Sequence, residues 1–381
     1  MERNQYRGFA KLFVIFFCCM GSLGGHAQQV DHKATPETKN LYNKLHQLWG
    51  RSILFGHQDD LAYGVNWRYE TGRSDVKEVT GDYPALQGLD AAGLEKNAAA
   101  NINGIPFSTM KEYIKDTYDK GGLTSLSWHM DNPVSGNNAW DTTAAVKAIL
   151  PGSALHQRYK TSLDKLAEYV SALKGADGKA IPLLFRPFHE CSGSWFWWGN
   201  KSCSPEEFKM LFRFTVTYLR DVKQIHNLIY MFNVNDFETE NDYLERYPGD
   251  EYADMISFDS YQFNADGAAF SAKLRKRLEL QQRIAESHGK IAALAETGYV
   301  EIPDPLWWTN VLAKAMEGLK VSHVLIWRNA GFRKTEKDYH YYAPYQGHAS
   351  AANFLQFYQL PGMLFLKKAS AIHLYQPVFT K

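Results

Sequence analysis

Short apolar runs alternate with longer amphipathic stretches along most of the chain. The apolar runs are nearly continuous in hydrophobic character and end in polar or aromatic residues. Strands of a parallel sheet have this pattern, because helices cover both faces of such a sheet. The strands predicted in this way are Ile53–Gly56, Tyr83–Leu89, Leu123–Trp128, Ile181–Arg186, Leu228–Asn233, Met255–Asp259, Ile291–Glu296 and Val324–Trp327.

Helical patterns lie between these strands. A serine–proline pair, Ser204-Pro205, is a typical helix start, and Gly121-Gly122 is a typical helix end. The helices predicted in this way are Ser108–Lys120, Leu155–Leu173, Pro205–Ile225, Ala268–His288 and Pro305–Leu319.

Strands and helices alternate without a linker rich in proline, serine or glycine. This pattern predicts one α/β domain, a (β/α)8 TIM barrel with its active site at the C-terminal ends of the strands. A doubly wound open sheet is the alternative. It often brings a glycine-rich phosphate loop, and neither G-x-G-x-x-G nor G-x-x-x-x-G-K-[ST] occurs in the chain.

The N-terminal residues have the three parts of a secretory signal peptide. The stretch Met1–Lys11 is basic, Leu12–Met20 is apolar, and Gly25-His26-Ala27 has small residues at the −3 and −1 positions. The apolar run is shorter than the about 20 residues that span a bilayer. We therefore predict a signal peptide over residues 1–27 and a single catalytic domain over residues 28–381.

The predicted signal places the protein in the periplasm or outside the cell. Lipid attachment at Cys18 or Cys19 is an alternative, but Ile15-Phe16-Phe17 lacks the small residues that such a signal prefers. The other cysteines, Cys191 and Cys203, would meet an oxidising compartment, so both a disulfide and two buried free thiols remain open.

Charge and hydropathy exclude some classes of partner. The chain has 42 basic and 41 acidic side chains, so nothing in it attracts a polyanion such as nucleic acid. No later segment is apolar enough to cross a membrane. We expect a monomer. The aromatic content of 14% is high, and the position of these residues bears on the site.

The predicted strands end in residues that suit a sugar site. Carboxylates, histidines and tryptophans gather there, and a pyranose offers an apolar C–H face and a rim of hydroxyls. These strand ends are His57-Gln58-Asp59, Trp128-His129, Arg186 to Glu190, Asp259-Ser260-Tyr261, Glu296 and Trp327-Arg328-Asn329.

Two glutamates are the candidate catalytic pair. Glu190 and Glu296 end the fourth and seventh predicted strands, three β/α units apart. Across a barrel mouth, carboxyl groups about 5–5.5 Å apart suit a retaining glycosidase, with one group protonated and the other ionised. The aromatic run Trp195–Trp198 should desolvate Glu190 and favour its neutral form.

The neighbours of this pair have more than one interpretation. Arg186 is either a structural ion pair or a cation that keeps Glu296 ionised. Asp259 is either a loop cap or a hydroxyl-binding group, and Tyr261 is placed to hold Glu296. His189 has no accompanying H-E-x-x-H motif or Cys/His cluster, so a hydrogen-bonding role fits it better than a metal.

The tryptophans near the strand ends are candidate sugar platforms. They fall at or just beyond the strand ends, away from the helix faces where core packing would place them. Trp197 is the first candidate for a loop-packing role instead. The set comprises Trp128, Trp195, Trp197, Trp198 and Trp327.

These motifs together resemble glycoside hydrolase family 26, the β-mannanases. The stretch from Arg186 to Glu190, followed by Gly193 to Gly199, is similar to the acid/base region of that family. The other matching motifs follow in the family's order: Phe55-Gly56-His57-Gln58, Ser127-Trp128-His129, Asp259-Ser260-Tyr261, Ala295-Glu296-Thr297-Gly298 and Ile326-Trp327-Arg328-Asn329.

The resemblance implies a retaining (β/α)8 enzyme that cleaves β-1,4-mannan or galactomannan without a metal or cofactor. It implies that Glu190 is the acid/base, Glu296 the nucleophile and Tyr261 its hydrogen-bond donor. Cys191 departs from the family, where a methionine or similar residue is expected. The predicted substrate-binding set is Trp128, His129, Arg186, His189, Trp195, Trp198, Asp259, Tyr261, Trp327 and Arg328. Within it, His189, Trp195, Asp259 and Trp327 would line the −1 subsite, and His129 and Arg328 would reach the −2 sugar.

Two other functions remain open. One is a mixed-linkage β-glucanase or β-1,3-xylanase on the same scaffold, because mannose and glucose differ only at the 2-hydroxyl. The other is a glycan-binding protein without activity, which would not need an acid/base pair. Internal or chain-end cleavage depends on loops such as Gln58–Asp75 and Asn132–Pro151.

Overall fold

The structure is a computed structural model that describes residues 29–378. The signal peptide predicted over residues 1–27 lies outside these residues. In the part described, no helix combines the length and the apolar character needed to cross a membrane.

Eight parallel strands form a closed barrel, as predicted. Each strand pairs with the next, and β8 pairs with β1 to close the ring. Helices surround the barrel, so the fold is a (β/α)8 TIM barrel. The strands are β1 Ile53–Gln58, β2 Leu86–Asp90, β3 Leu123–Trp128, β4 Leu183–Pro187, β5 Leu228–Val234, β6 Met255–Gln262, β7 Ile291–Tyr299 and β8 His323–Ile326.

Strand boundaries differ from the prediction for identifiable reasons. β2 and β4 begin after Pro84 and Pro182, which have no N–H for a sheet hydrogen bond. β6 and β7 continue past their predicted ends, because Tyr261 still pairs with Gly298 beyond the register shift at Phe258. These longer strands carry polar residues to the mouth of the barrel.

Within residues 29–378, the helices occupy the connections between the strands and the segments before β1 and after β8. The predicted helix from Pro205 ends as an α-helix at Thr217 and continues as a π-helix, Tyr218–Val222. The helix predicted from Pro305 is a π-helix over Trp308–Ala313 followed by α9. The α-helices are α1 Pro36–Leu48, α2 Asp75–Thr80, α3 Phe107–Asp119, α4 Val146–Ile149, α5 His156–Ser171, α6 Pro205–Thr217, α7 Glu240–Leu244, α8 Gly267–His288, α9 Lys314–Met316, α10 Ala351–Gln359 and α11 Leu366–Ile372.

Alternating strand residues divide the apolar core into two layers. On β1, Leu54 belongs to the inner cluster and Phe55 to the outer one, because successive side chains point to opposite faces. Leu41 and Leu45 of α1 join the inner cluster. Because the inner cluster lies at the starts of the strands, apolar side chains fill the N-terminal end of the barrel. Polar side chains lie at its C-terminal end, the mouth.

Short additions decorate the mouth of the barrel. The hairpin Tyr63–Gly64 with Trp67–Arg68 follows β1, and the hairpin Gly331–Arg333 with Asp338–His340 follows β8. A short 3-10 helix, Leu94–Lys96, follows β2. At the opposite end of the barrel, a two-residue strand, Met363–Leu364, pairs with the first two residues of β1.

Cys191 and Cys203 are both buried and both free. The Sγ atom of Cys203 lies 3.4 Å from the guanidinium of Arg246 and 3.3 Å from the carbonyl oxygen of Trp198. Of the two interpretations left open by the sequence, the structure therefore shows two buried thiols.

Phe55 provides a test of the outer core. Its ring is fully buried and stacks on Phe365 at 4.4 Å, with Phe354 at 5.4 Å. Phe55→Ala should lower the free energy of unfolding by about 3–5 kcal/mol, measured by guanidinium denaturation. The matched control is Phe332→Ala, which removes the same atoms from a ring that is 51% exposed and should cost less than about 1 kcal/mol. Equal losses would contradict this account of the core.

Candidate active site

Three carboxylates meet at the mouth of the barrel. Glu190 follows β4, Asp259 lies on β6 and Glu296 on β7, and one oxygen atom of each lies within 4.8 Å of the other two. Both predicted glutamates therefore lie in the same cluster. Such a separation suits a pair in which one carboxyl group attacks and the other transfers a proton.

Arg186 on β4 holds two of these carboxylates. Its guanidinium donates to Asp259 at 2.9 Å and forms a second, short ion pair with Glu296. Burial would lower the pKa of Arg186, but Asp259 and Glu296 raise it, so the side chain stays cationic. Arg186 is thus both a structural ion pair and the counter-charge of Glu296.

Tyr261 and Arg186 together fix the Glu296 carboxylate. The hydroxyl of Tyr261 donates to Oε2 of Glu296 at 2.8 Å, while Arg186 donates to Oε1. The register of β6 and β7 places Asp259 directly opposite Glu296. With one donor on each oxygen, the carboxylate is held in a single orientation.

Glu190 lies on strained backbone. Its φ is 52°, and Phe188 has the same φ, a left-handed conformation that costs free energy in any residue with a side chain. Asn233 at the end of β5 holds this turn, because its side-chain oxygen accepts the Glu190 N–H at 2.7 Å and its amide donates to Asp259 at 2.9 Å. The backbone around Glu190 is therefore tied to the carboxylate cluster.

The pKa of Glu190 is raised to about 7. Burial is the largest cause, and the charge of Glu296 adds to it. The indole N–H of Trp195, which donates to Glu190 at 2.8 Å, opposes this shift, as does Arg186. One carboxyl group is thus poised to carry a proton near neutral pH, and its environment differs from that of its neighbour, whose two oxygens accept hydrogen bonds from Arg186 and Tyr261. A general acid and a nucleophile need this difference.

Only some of the predicted tryptophans can present a ring to a ligand. Trp195 and Trp327 are half-buried, so each keeps an accessible surface. Trp128 is 1% exposed and Trp198 is fully buried, so the prediction that these two rings contact a sugar directly does not fit. Their indole N–H groups are committed to the protein, to Glu95 and to the carbonyl oxygen of His189 respectively.

Trp197 packs the loops, as proposed for it above. It is fully buried and donates to the carbonyl oxygen of Met130 at 2.9 Å. Nearby Gly193 makes room for the Trp195 indole, because a Cβ at Gly193 would lie 2.5 Å from that ring.

Asp259 and His129, which were predicted to contact the sugar, are instead hydrogen-bonded to other protein groups. Asp259 is fully buried, and Arg186 and Asn233 engage its two oxygens, so it holds the cluster together instead of facing a hydroxyl. Both nitrogens of His129 are also engaged, Nδ1 by Asp90 at 2.7 Å and Nε2 by His189 at 3.1 Å. Asp259 and His129 therefore hold neighbouring site residues in place through hydrogen bonds.

Arg328 lies on the β8–β1 side of the mouth. Its guanidinium donates to the hydroxyl of Tyr63 at 3.3 Å, and Tyr63 in turn bonds the carboxylate of Asp59. Burial raises the pKa of Asp59 to about 6. Asn103 also donates to Asp59, at 2.7 Å. Tyr63 thus links Arg328 to Asp59 at this side of the mouth.

Three site residues are absent from the sequence-based prediction. Asp90 and Asn233 end β2 and β5, the same position that identified the predicted residues, so extending that rule to every strand would have found them. Trp140 is 47% exposed and stacks on the His129 ring at 5.1 Å. It lies in a loop between β3 and α4, where no strand end marks it.

Comparisons with known proteins agree with this geometry. The model of glycosyl hydrolase family 26 matches residues 30–314. A mannan endo-1,4-β-mannosidase of Bifidobacterium adolescentis is 36% identical over 286 residues, which cover 73% of this chain and 28% of that protein. One of Bacillus subtilis is 28% identical, over 61% of this chain and 66% of its own length. The chain thus spans about a quarter to two-thirds of these relatives.

A solved structure is similar over nearly the whole chain. It is a β-mannanase of family 26 from Bacteroides ovatus, with 40% sequence identity and a TM-score of 0.85. The similarity covers 90% of this chain and 98% of that one.

The pKa of Glu190 can be tested through its two strongest neighbours. Glu296→Gln should lower this pKa, because it removes a negative charge that disfavours ionisation of Glu190. Trp195→Phe should raise it, because the ionised form loses a hydrogen bond. Titration of 13C-labelled glutamate by NMR measures both, with Glu190 assigned from Glu190→Gln.

The control for these titrations is Glu206→Gln, which changes an exposed glutamate on α6 and should leave the pKa of Glu190 where it is. Shifts in the same direction for the two test variants would contradict the electrostatic account.

Proposed function

The chain belongs to glycosyl hydrolase family 26, and on that premise we propose that it is a retaining glycoside hydrolase that cleaves β-1,4-linked mannan. The observation that carries the proposal is the arrangement of Glu190 and Glu296, with one carboxyl group held near its protonated state and the other fixed by Arg186 and Tyr261. Relatives named for mannan cleavage supply the substrate class.

The reaction proceeds in two displacements. Glu296 attacks the anomeric carbon while Glu190 protonates the departing glycosidic oxygen, which forms a glycosyl–Glu296 ester and frees the leaving sugar. Glu190, now ionised, then removes a proton from water as the water attacks the same carbon and releases Glu296. Two inversions give net retention of configuration.

Residues around this pair are proposed to bind the sugar chain. Trp195 and Trp327 keep accessible ring surface at the mouth, and Arg328 offers a planar set of donors on the β8–β1 side. We assign Arg328 to the −2 sugar, as the resemblance of Ile326-Trp327-Arg328-Asn329 to the family motif implies. His189 would act at the −1 sugar, supported by His129.

Export and assembly are part of the proposal. The basic start, apolar run and small residues of the first 27 positions support removal of a signal peptide and action in the periplasm or outside the cell. The remaining chain would act as one catalytic domain and as a monomer.

Product analysis tests the function and its substrate. We expect the protein to release short oligosaccharides from unbranched β-1,4-mannan at least about a hundredfold faster than from β-1,3-xylan or mixed-linkage β-glucan. Glu296→Ala should remove hydrolysis of all three, and azide should then restore part of the rate with an inverted product. Faster release from xylan or glucan would replace the mannan assignment. No hydrolysis by the wild type would indicate a glycan-binding protein.

The roles of the two glutamates differ in their dependence on the leaving group. An acid matters most when the leaving group is a poor one, such as a sugar alcohol. Glu190→Ala should lose most activity on mannan, yet it should release a burst of phenol from an activated aryl mannobioside. The burst arises because the ester forms but lacks the base that hydrolyses it.

Glu296→Ala is the matched control, because without the nucleophile no ester can form and no burst should appear. Stopped-flow absorbance measures both variants. A burst from Glu296→Ala and none from Glu190→Ala would reverse the two assignments.

A further inference from the structure

Asp90 holds His129 through both of its oxygens. Oδ1 accepts two backbone N–H groups, those of Ala92 at 2.8 Å and His129 at 3.2 Å. Oδ2 accepts the hydroxyl of Ser127 at 2.7 Å and faces Nδ1 of His129 at 2.7 Å. The carboxylate is buried at the end of β2, and its orientation is fixed because each oxygen has its own partners.

These contacts determine where the histidine protons lie. An ionised carboxylate only accepts hydrogen bonds, so Nδ1 of His129 must carry a proton. Nε2 of His129 then faces Nε2 of His189 at 3.1 Å, and one proton must lie between these two nitrogens. When His129 is neutral, its Nε2 is bare and that proton belongs to His189.

The second nitrogen of His189 is then left as an acceptor. Burial, His129 and Arg186 lower the pKa of His189 well below its usual value, so the ring is neutral and has one N–H. With the proton on Nε2, Nδ1 is bare. Among the residues that the structure describes, this buried atom has no hydrogen-bond partner. His189 directly precedes Glu190 in the chain.

We propose that Asp90 is a positioning residue, which fixes the tautomers of His129 and His189 and thereby keeps Nδ1 of His189, the residue before the acid/base Glu190, a hydrogen-bond acceptor. The inference rests on the proposed function, in which His189 serves the −1 sugar. In this tautomer Nδ1 can accept a hydrogen bond from a sugar hydroxyl, whereas in the other tautomer it can only donate one and the hydroxyl proton loses this acceptor.

The isosteric variant Asp90→Asn should reverse this arrangement. The amide oxygen must take the Oδ1 position, because two backbone N–H groups point at it. The NH2 group is therefore forced to the Oδ2 position, where it donates to Nδ1 of His129. His129 must then carry its proton on Nε2, which leaves Nε2 of His189 bare and moves the proton to Nδ1.

A second Asp–His pair at the opposite end of the barrel provides a matched control. Oδ1 of Asp31 accepts the backbone N–H of Lys33 at 2.8 Å, and Oδ2 faces Nδ1 of His226 at 2.8 Å. His226 lies just before β5, at the end of the barrel remote from Glu190. Asp31→Asn should reverse the tautomer of His226 without affecting the reaction.

Long-range 15N–1H NMR of histidine-labelled protein reads the tautomers directly. At a pH where the wild-type His129 is neutral, Asp90→Asn should move the proton of His129 from Nδ1 to Nε2 and that of His189 from Nε2 to Nδ1. The resonances are assigned from His129→Asn and His189→Asn. Asp31→Asn should change only His226, which shows that the method detects a reversal. Unchanged tautomers in Asp90→Asn would overturn the proposal.

Kinetics on manno-oligosaccharides measure the consequence. Asp90→Asn should lower kcat roughly ten- to a hundredfold, and Asp31→Asn should leave it within about twofold. Asp90→Ala, which removes the acceptor without forcing the opposite tautomer, should lower kcat less than the isosteric variant. The opposite order, or an unchanged kcat with reversed tautomers, would show that Asp90 has only a structural role.

Thermal unfolding of the same variants separates loss of stability from loss of function.

If the proposed function fails, the wild type will hydrolyse none of the polysaccharides. If only this inference fails, the wild type will be active while Asp90→Asn changes neither the tautomers nor kcat.

Discussion

The bond from Arg186 to both Asp259 and Glu296 is the interaction on which the site depends. Three carboxylates so close together, away from water, would repel one another or take up protons. A planar guanidinium can bond two carboxylates at once, and these partners raise the pKa of Arg186, so its charge is kept despite complete burial. Within the part of the chain that the structure describes, Glu190 has no such ion pair, and burial and the charge of Glu296 raise its pKa to about 7.

Closure of the barrel allows Arg186 to contact Asp259 and Glu296. The side chain starts on β4 and contacts residues of β6 and β7, strands that are not its neighbours in the sheet. Only a ring of strands brings these ends together. The register of β6 with β7 then places Asp259 beside Glu296, and Asn233 on β5 connects Asp259 to the backbone of Glu190. The pairing of the strands thus determines the distances between the carboxyl groups of the site.

Much of this could be predicted, because a parallel barrel places the ends of its strands at one mouth. That rule brings Glu190 and Glu296 together without knowledge of any side-chain direction. The rule does not give the direction of a side chain. Trp128 ends β3 and Trp198 follows β4, but their rings are buried, and their N–H groups donate to Glu95 and to the carbonyl oxygen of His189. The helix that begins at Pro205 shows a second limit of prediction from the sequence. One turn of π-helix leaves the apolar pattern nearly unchanged, so the change from α-helix to π-helix after Thr217 could not be predicted.

The left-handed backbone at Phe188 and Glu190 has a consequence for how this protein balances folding against chemistry. Residues with side chains adopt this conformation at a cost of roughly 1–2 kcal/mol, and Glu190 adds the burial of a carboxyl group next to Glu296. Glycine at position 190 would relieve the backbone strain at that residue and the burial of its carboxyl group. The side chain proposed to drive the reaction is therefore also one that the folded state would be more stable without, so a search for stabilising substitutions would tend to select against activity here.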